Sequence, residues 1–80
     1  MNYYVYILQS ESYDEKYYLG FTTDIKRRLQ KHNNGEVSYT SKYKPWELKN
    51  SISFTDKSKA LAFEKYLKSH TGRVYTKKHY

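Results

Sequence analysis

The first strongly apolar stretch of the chain, Tyr3-Tyr4-Val5-Tyr6-Ile7-Leu8-Gln9, is dense in aromatic and β-branched residues and reads as a strand. A polar break from Ser10 to Glu15 separates it from Lys16-Tyr17-Tyr18-Leu19-Gly20-Phe21, so a β-hairpin is expected. With the loop centred near Ser12, antiparallel pairing sets Tyr6 opposite Tyr18 and puts two phenols on one face. Thr22-Thr23-Asp24 then supplies capping side chains ahead of a helix from Ile25 to Asn33, and Asn34-Gly35 supplies a left-handed stop. Glu36 to Pro45 reads as a polar loop and Trp46 to Phe54 as a third strand. Thr55-Asp56 caps a second helix, rich in Ala, Leu and Lys, that runs to about Ser69 before His70-Thr71-Gly72 breaks it. The tail from Arg73 to Tyr80 has room for one or two further helical turns.

Both helices carry polar residues where an amphipathic pattern expects apolar ones. On the first, positions three and four apart give the stripe Ile25, Arg28, Leu29, His32, so a cation and an imidazole lie along the buried seam. On the second, Glu64 lies three from Leu61 and Leu67 and four from Ala60, inside the apolar arc. Such groups need partners or a task. For Arg28 the bland alternative is a side chain snorkelling along the helix edge. For Glu64 it is an ion pair with a Lys; the functional reading is a hard oxygen ligand for a divalent cation.

Charge sharpens the picture. Fifteen Lys and Arg against eight Asp and Glu give +7. Residues 1 to 24 hold one Lys against Glu11, Asp14, Glu15 and Asp24, net −3, which leaves +10 to residues 25 to 80. A polyanionic partner is the natural reading, with phosphate contacts that weaken as salt rises. Eleven Tyr and one Trp add groups able to hydrogen-bond phosphate or stack on bases. With no Cys, neither a disulfide framework nor a thiolate zinc site is available, and a reducing, cytoplasmic setting is expected. Eighty residues have room for one small domain, 1–80, and the sequence shows neither a secretory leader nor a membrane-spanning stretch.

Taken together, the two tyrosines, Arg28, His32 and Glu64 match the needs of phosphodiester hydrolysis. A proton acceptor must activate water, and a cation and Arg must meet the charge that grows on the phosphoryl oxygens. A phenol is a poor base unless a nearby cation lowers its pKa, so Tyr6 is a candidate only beside Arg28 or a metal, and His32 competes for the role.

The order Tyr-Val-Tyr at positions 4–6, Tyr-Leu-Gly at 18–20, a helix with Arg28 and His32 and a second helix with Glu64 resembles the GIY-YIG nuclease domain. The run from Lys16 to Asn33 and the ending around Glu64 to Arg73 are similar to small bacterial members related to the N-terminal nuclease of UvrC-type excinucleases. The resemblance implies an α+β fold, a three-stranded antiparallel sheet flanked by helices, with the active site on the sheet face beside both helices. It implies a Mg²⁺- or Mn²⁺-dependent endonuclease. By the same resemblance Tyr6 is expected to help activate water, Tyr18 to contact the phosphate or water network, Arg28 to bind phosphate, His32 to stand as a second candidate base and Glu64 to serve as the protein's metal ligand. Gly20 matches the closing glycine, where a side chain would crowd the approach of backbone to substrate. Tyr4 stands in place of the first Gly, Leu19 in place of Ile, and Phe21 where some relatives carry a Lys. Lys42 and Lys44 of the basic loop and Arg73, Lys77 and Lys78 of the tail are left to grip nucleic acid, DNA ahead of RNA and with low sequence specificity. A nucleic-acid-binding module that cuts slowly or not at all is the alternative, and a homodimer is compatible with either.

Overall fold

The computed structural model describes residues 1–69. Strands β1 (Tyr3–Ser10), β2 (Tyr17–Thr22) and β3 (Trp46–Phe54) form one antiparallel sheet in the order β2-β1-β3, with helices α1 (Ile25–Asn33), α2 (Ser38–Ser41) and α3 (Lys57–Lys68). This is the expected α+β architecture with its three strands and two main helices. The helical tail expected from Arg73 to Tyr80 lies outside the described residues.

Alternation along β1 divides the core in two. Val5 and Ile7 point to one face, where Ala60 and Leu67 of α3 cover them together with Tyr3, Leu19, Phe21, Phe54 and Phe63. Tyr6 and Leu8 point to the other, against Trp46, Tyr18, Leu29, Tyr43 and Leu48. The main helices therefore pack on opposite faces, and only α1 borders the Tyr6 face directly. Leu61, placed by its spacing in the apolar arc of α3, is 41% exposed; the arc is narrower and centres on Ala60, Phe63 and Leu67.

Two details depart from expectation. Tyr6 faces Gly20, and Tyr18 faces Leu8, so the register is two residues away from the expected Tyr6–Tyr18 pairing. The hairpin centres on Tyr13, because buried Ser10 accepts hydrogen bonds at its Oγ from the amides of Ser12 and Tyr13 while its own amide donates to the Lys16 carbonyl at 3.0 Å. A shift of two preserves the face, so both phenols still share one side of the sheet. The segment read as a loop between Glu36 and Pro45 contains the single turn α2. Polar composition concealed it: Thr40, fully buried, is its inward-facing residue.

The pairing of β1 with β3 breaks between Ile7 and Leu8, where Ile7 faces Asn50 and Leu8 faces Leu48, leaving Lys49 as an extra residue. The bulge sends Trp46 and Leu48 to the α1 face and Phe54 to the α3 face, although all three have even numbers. Side chains lock the rest. Asp24 caps α1 by accepting from the Arg27 amide, and Asp56 caps α3 by accepting from those of Ser58 and Lys59. Gly35 takes φ +76 just after α1, the left-handed stop expected there. Asn33 clamps the end of α1 to the start of β3, accepting from the Trp46 amide at 2.6 Å and donating to the Trp46 carbonyl at 3.2 Å. No helix among the described residues is long and apolar enough to cross a membrane.

Candidate active site on the α1 face of the sheet

Tyr6 lies at the centre of the site because β1 is the middle strand and Tyr6 points towards α1. Its ring passes over Gly20 of β2: a Cβ there would run into Cζ and the hydroxyl of Tyr6. Gly20 therefore makes room for the catalytic candidate itself. Arg28 and His32, one helical turn apart on α1, reach the same hydroxyl. Arg28 Nε donates to Tyr6 Oη at 3.3 Å, and His32 Nε2 lies 2.9 Å from it. Tyr18 packs alongside, its ring centroid 4.8 Å from that of His32 and 6.3 Å from that of Tyr6.

Behind this layer stands a residue that the sequence pattern did not single out. His32 is wholly buried, and its Nδ1 lies 2.8 Å from Thr40 Oγ1. Thr40 Oγ1 also donates to the Val37 carbonyl at 3.3 Å, and the Thr40 carbonyl accepts from Trp46 Nε1 at 2.8 Å. A buried hydroxyl eight residues beyond the His has no periodic signature; only the α2 turn brings it there. No buried side-chain nitrogen or oxygen among the described residues lacks a partner.

The electrostatics set protonation states. Burial raises the Tyr6 pKa above its ordinary value; the hydrogen bond from Arg28 opposes this and does not overcome it. Tyr6 is therefore a neutral phenol near pH 7, and Arg28 alone does not make it a base. Burial, helped by the Arg28 charge, pushes His32 down to about 4, so its imidazole is neutral. Arg28 is held firmly cationic by its hydrogen bond to Tyr6.

Glu64 reaches this cluster by its charge and not by a hydrogen bond. It comes from α3, on the opposite side of the sheet, and its partner is Lys68, with Nζ 3.2 Å from Oε2 in an i,i+4 ion pair. Its charge is felt at the Tyr6 phenol, which it raises slightly. The structure thus brings Tyr6, Tyr18, Arg28 and His32 into contact and leaves Glu64 near them without a hydrogen bond to any of the four. Lys42 and Lys44 are exposed beyond α2, whereas Arg73, Lys77 and Lys78 lie outside the described residues. Tyr39 of α2 is 61% exposed, with its ring 6.2 Å from Tyr18 and 6.2 Å from Tyr43.

Comparison with known proteins gives the family of the chain. Over 72 residues the chain is 42% identical to a UPF0213 protein of Haloquadratum walsbyi, covering 89% of this chain and 81% of that protein. It is 39% identical to one from Streptococcus agalactiae over 80 residues, 95% of this chain and 89% of that protein. The solution NMR structure of a UPF0213 protein from Bacillus halodurans superposes with a TM-score of 0.57 at 35% identity, covering 95% of this chain and 82% of that one. The family model of the GIY-YIG catalytic domain matches residues 2–79, and the chain belongs to that family.

Proposed function

We propose that the protein is a divalent-metal-dependent endonuclease that hydrolyses nucleic-acid phosphodiesters, DNA ahead of RNA, with low sequence specificity. The observation that carries this reading is the Tyr6 hydroxyl held between a cation, Arg28, and a neutral base, His32. Membership of the GIY-YIG catalytic domain family, whose members are endonucleases, supports it. In this reading Tyr6 takes a proton from the attacking water as its own passes to His32 Nε2, so the two candidate bases act in series. Arg28 meets the charge that grows on the non-bridging phosphoryl oxygens. Tyr18 hydrogen-bonds the phosphate or the water.

Glu64 is the residue that would hold the cation. A single hard carboxylate oxygen donor, with waters and substrate phosphate filling the other positions, suits Mg²⁺ or Mn²⁺. When bound, the cation would neutralise phosphoryl charge and draw down the pKa of nearby water and phenol. Lys42 and Lys44, with Arg73, Lys77 and Lys78, supply the grip on the backbone.

One observation favours the competing reading of a binding module that does not cut: the Glu64–Lys68 ion pair occupies the metal carboxylate. Nicking of supercoiled plasmid with Mg²⁺, with Mn²⁺ and with chelator, for the wild type and Glu64→Ala, separates the two. The nuclease reading expects metal-dependent nicking that falls on the order of 100-fold or more in the variant, the scale of losing a charge-stabilising group, with plasmid affinity unchanged or higher. Salt-sensitive binding without cleavage of plasmid, branched or single-stranded substrate would leave the binding module.

A further inference from the structure

We propose that Thr40 is a positioning residue that fixes the His32 imidazole as the Nδ1–H tautomer, so that Nε2 meets Tyr6 as a hydrogen-bond acceptor. Four contacts carry the argument. Arg28 Nε–H has no choice but to donate to Tyr6 Oη. Thr40 Oγ1 lies within reach of both the Val37 carbonyl at 3.3 Å and His32 Nδ1 at 2.8 Å. A carbonyl cannot donate, so the bond to Val37 uses the single Thr40 proton and leaves Oγ1 an acceptor towards His32. Nδ1 then carries the ring proton, Nε2 is a bare lone pair, and Tyr6 O–H donates to it across 2.9 Å.

The opposite tautomer turns the chain around. The Thr40 hydroxyl would give up Val37, and Tyr6 Oη would accept from Arg28 and His32 together with its own proton aimed away from any base. Only the first arrangement uses all four contacts at once. Thr40 has no freedom to wander from it: the residue is wholly buried, and its carbonyl is tied to Trp46 Nε1. In water a free imidazole favours the other tautomer, so the protein must impose this one.

The effect on cleavage rests on the nuclease reading, whereas the tautomer does not, and the experiment separates them. Long-range ¹H–¹⁵N correlations of the His32 ring near neutral pH are recorded for the wild type, Thr40→Val and Thr40→Ser, with plasmid nicking and binding alongside. The wild type and Thr40→Ser are expected to show a protonated Nδ1 and an unprotonated Nε2. Thr40→Val is expected to shift towards Nε2–H and to lose on the order of 10- to 100-fold in nicking rate, the usual scale for removing such a supporting partner, at unchanged plasmid affinity. An Nε2–H wild type overturns the proposal, as does a Thr40→Val protein that keeps the wild-type tautomer. The wild-type spectrum decides even where the valine variant fails to fold. Should the wild type nick nothing under any metal, the nuclease reading falls and the ring nitrogens still decide the role of Thr40.

Discussion

At the scale of single residues, the site is governed by how burial acts on two groups of opposite charge type. Both Tyr6 and His32 are driven towards their neutral forms, the phenol by a raised pKa and the imidazole by one lowered to about 4. For His32 the sign follows directly. Between about 6.5 and about 4 the unfolded chain binds this proton and the folded one does not, so stability is whole above the upper value and declines as pH falls through that window. The loss is up to about 3 kcal/mol, measurable by urea denaturation at pH 7 and pH 4.5, and His32→Gln should flatten that slope. Gly20 belongs to the same scale. Gly20→Ala should displace the Tyr6 ring, cost about 1–3 kcal/mol as an overpacked position and abolish the Arg28 and His32 contacts; a variant that nicks and melts like the wild type would refute that account. Arg28 and His32 were legible in the sequence because helical spacing puts polar groups where apolar ones belong, and Tyr6 because the hairpin sets it on one face with Tyr18. Thr40 was not, since a Thr in a polar loop is unremarkable until the turn that buries it is known.

At the scale of elements, caps and strand composition announced themselves and short-range geometry did not. Asp24, Asp56 and Gly35 bound their helices where the sequence said they would. The register of the hairpin depended on Ser10, whose side chain builds the turn from within, and composition alone carries no mark of that. The turn α2 has two sides with separate consequences: Thr40 faces in, and Tyr39 faces out beside the Tyr18 ring. Tyr39→Ala should weaken binding of a single-stranded oligonucleotide by about 1–3 kcal/mol if a base stacks there, with Tyr39→Phe close to wild type by fluorescence titration. The clamp between α1 and β3 should also be separable. Asn33→Leu leaves the Trp46 amide and carbonyl without their partner and should cost about 1–3 kcal/mol, read as a lowered urea midpoint.

At the scale of the whole molecule, charge is uneven along the chain: residues 1 to 24 carry four acids against one Lys, and the basic excess lies beyond them. Binding to nucleic acid should accordingly fall steeply with salt. Lys42→Ala with Lys44→Ala should reduce the magnitude of the log–log salt slope by about 1.8 for duplex, or about 1.4 for single strand, if each Lys neutralises one phosphate. A slope unchanged in the double variant would move the contact surface elsewhere. The sheet carries a core on each side, with Ala60 and Leu67 of α3 packed on one face and the Tyr6 cluster on the other. The bulge at Lys49 is what lets β3 serve both, since it advances the strand by one residue halfway along. It acts as a frame change in a text read two letters at a time. Point changes at this exposed Lys leave the frame intact, but deleting it would restore strict alternation and force either Trp46 with Leu48 or Phe54 to the wrong side. An exposed position outside the ladder is thereby one of the least tolerant of loss.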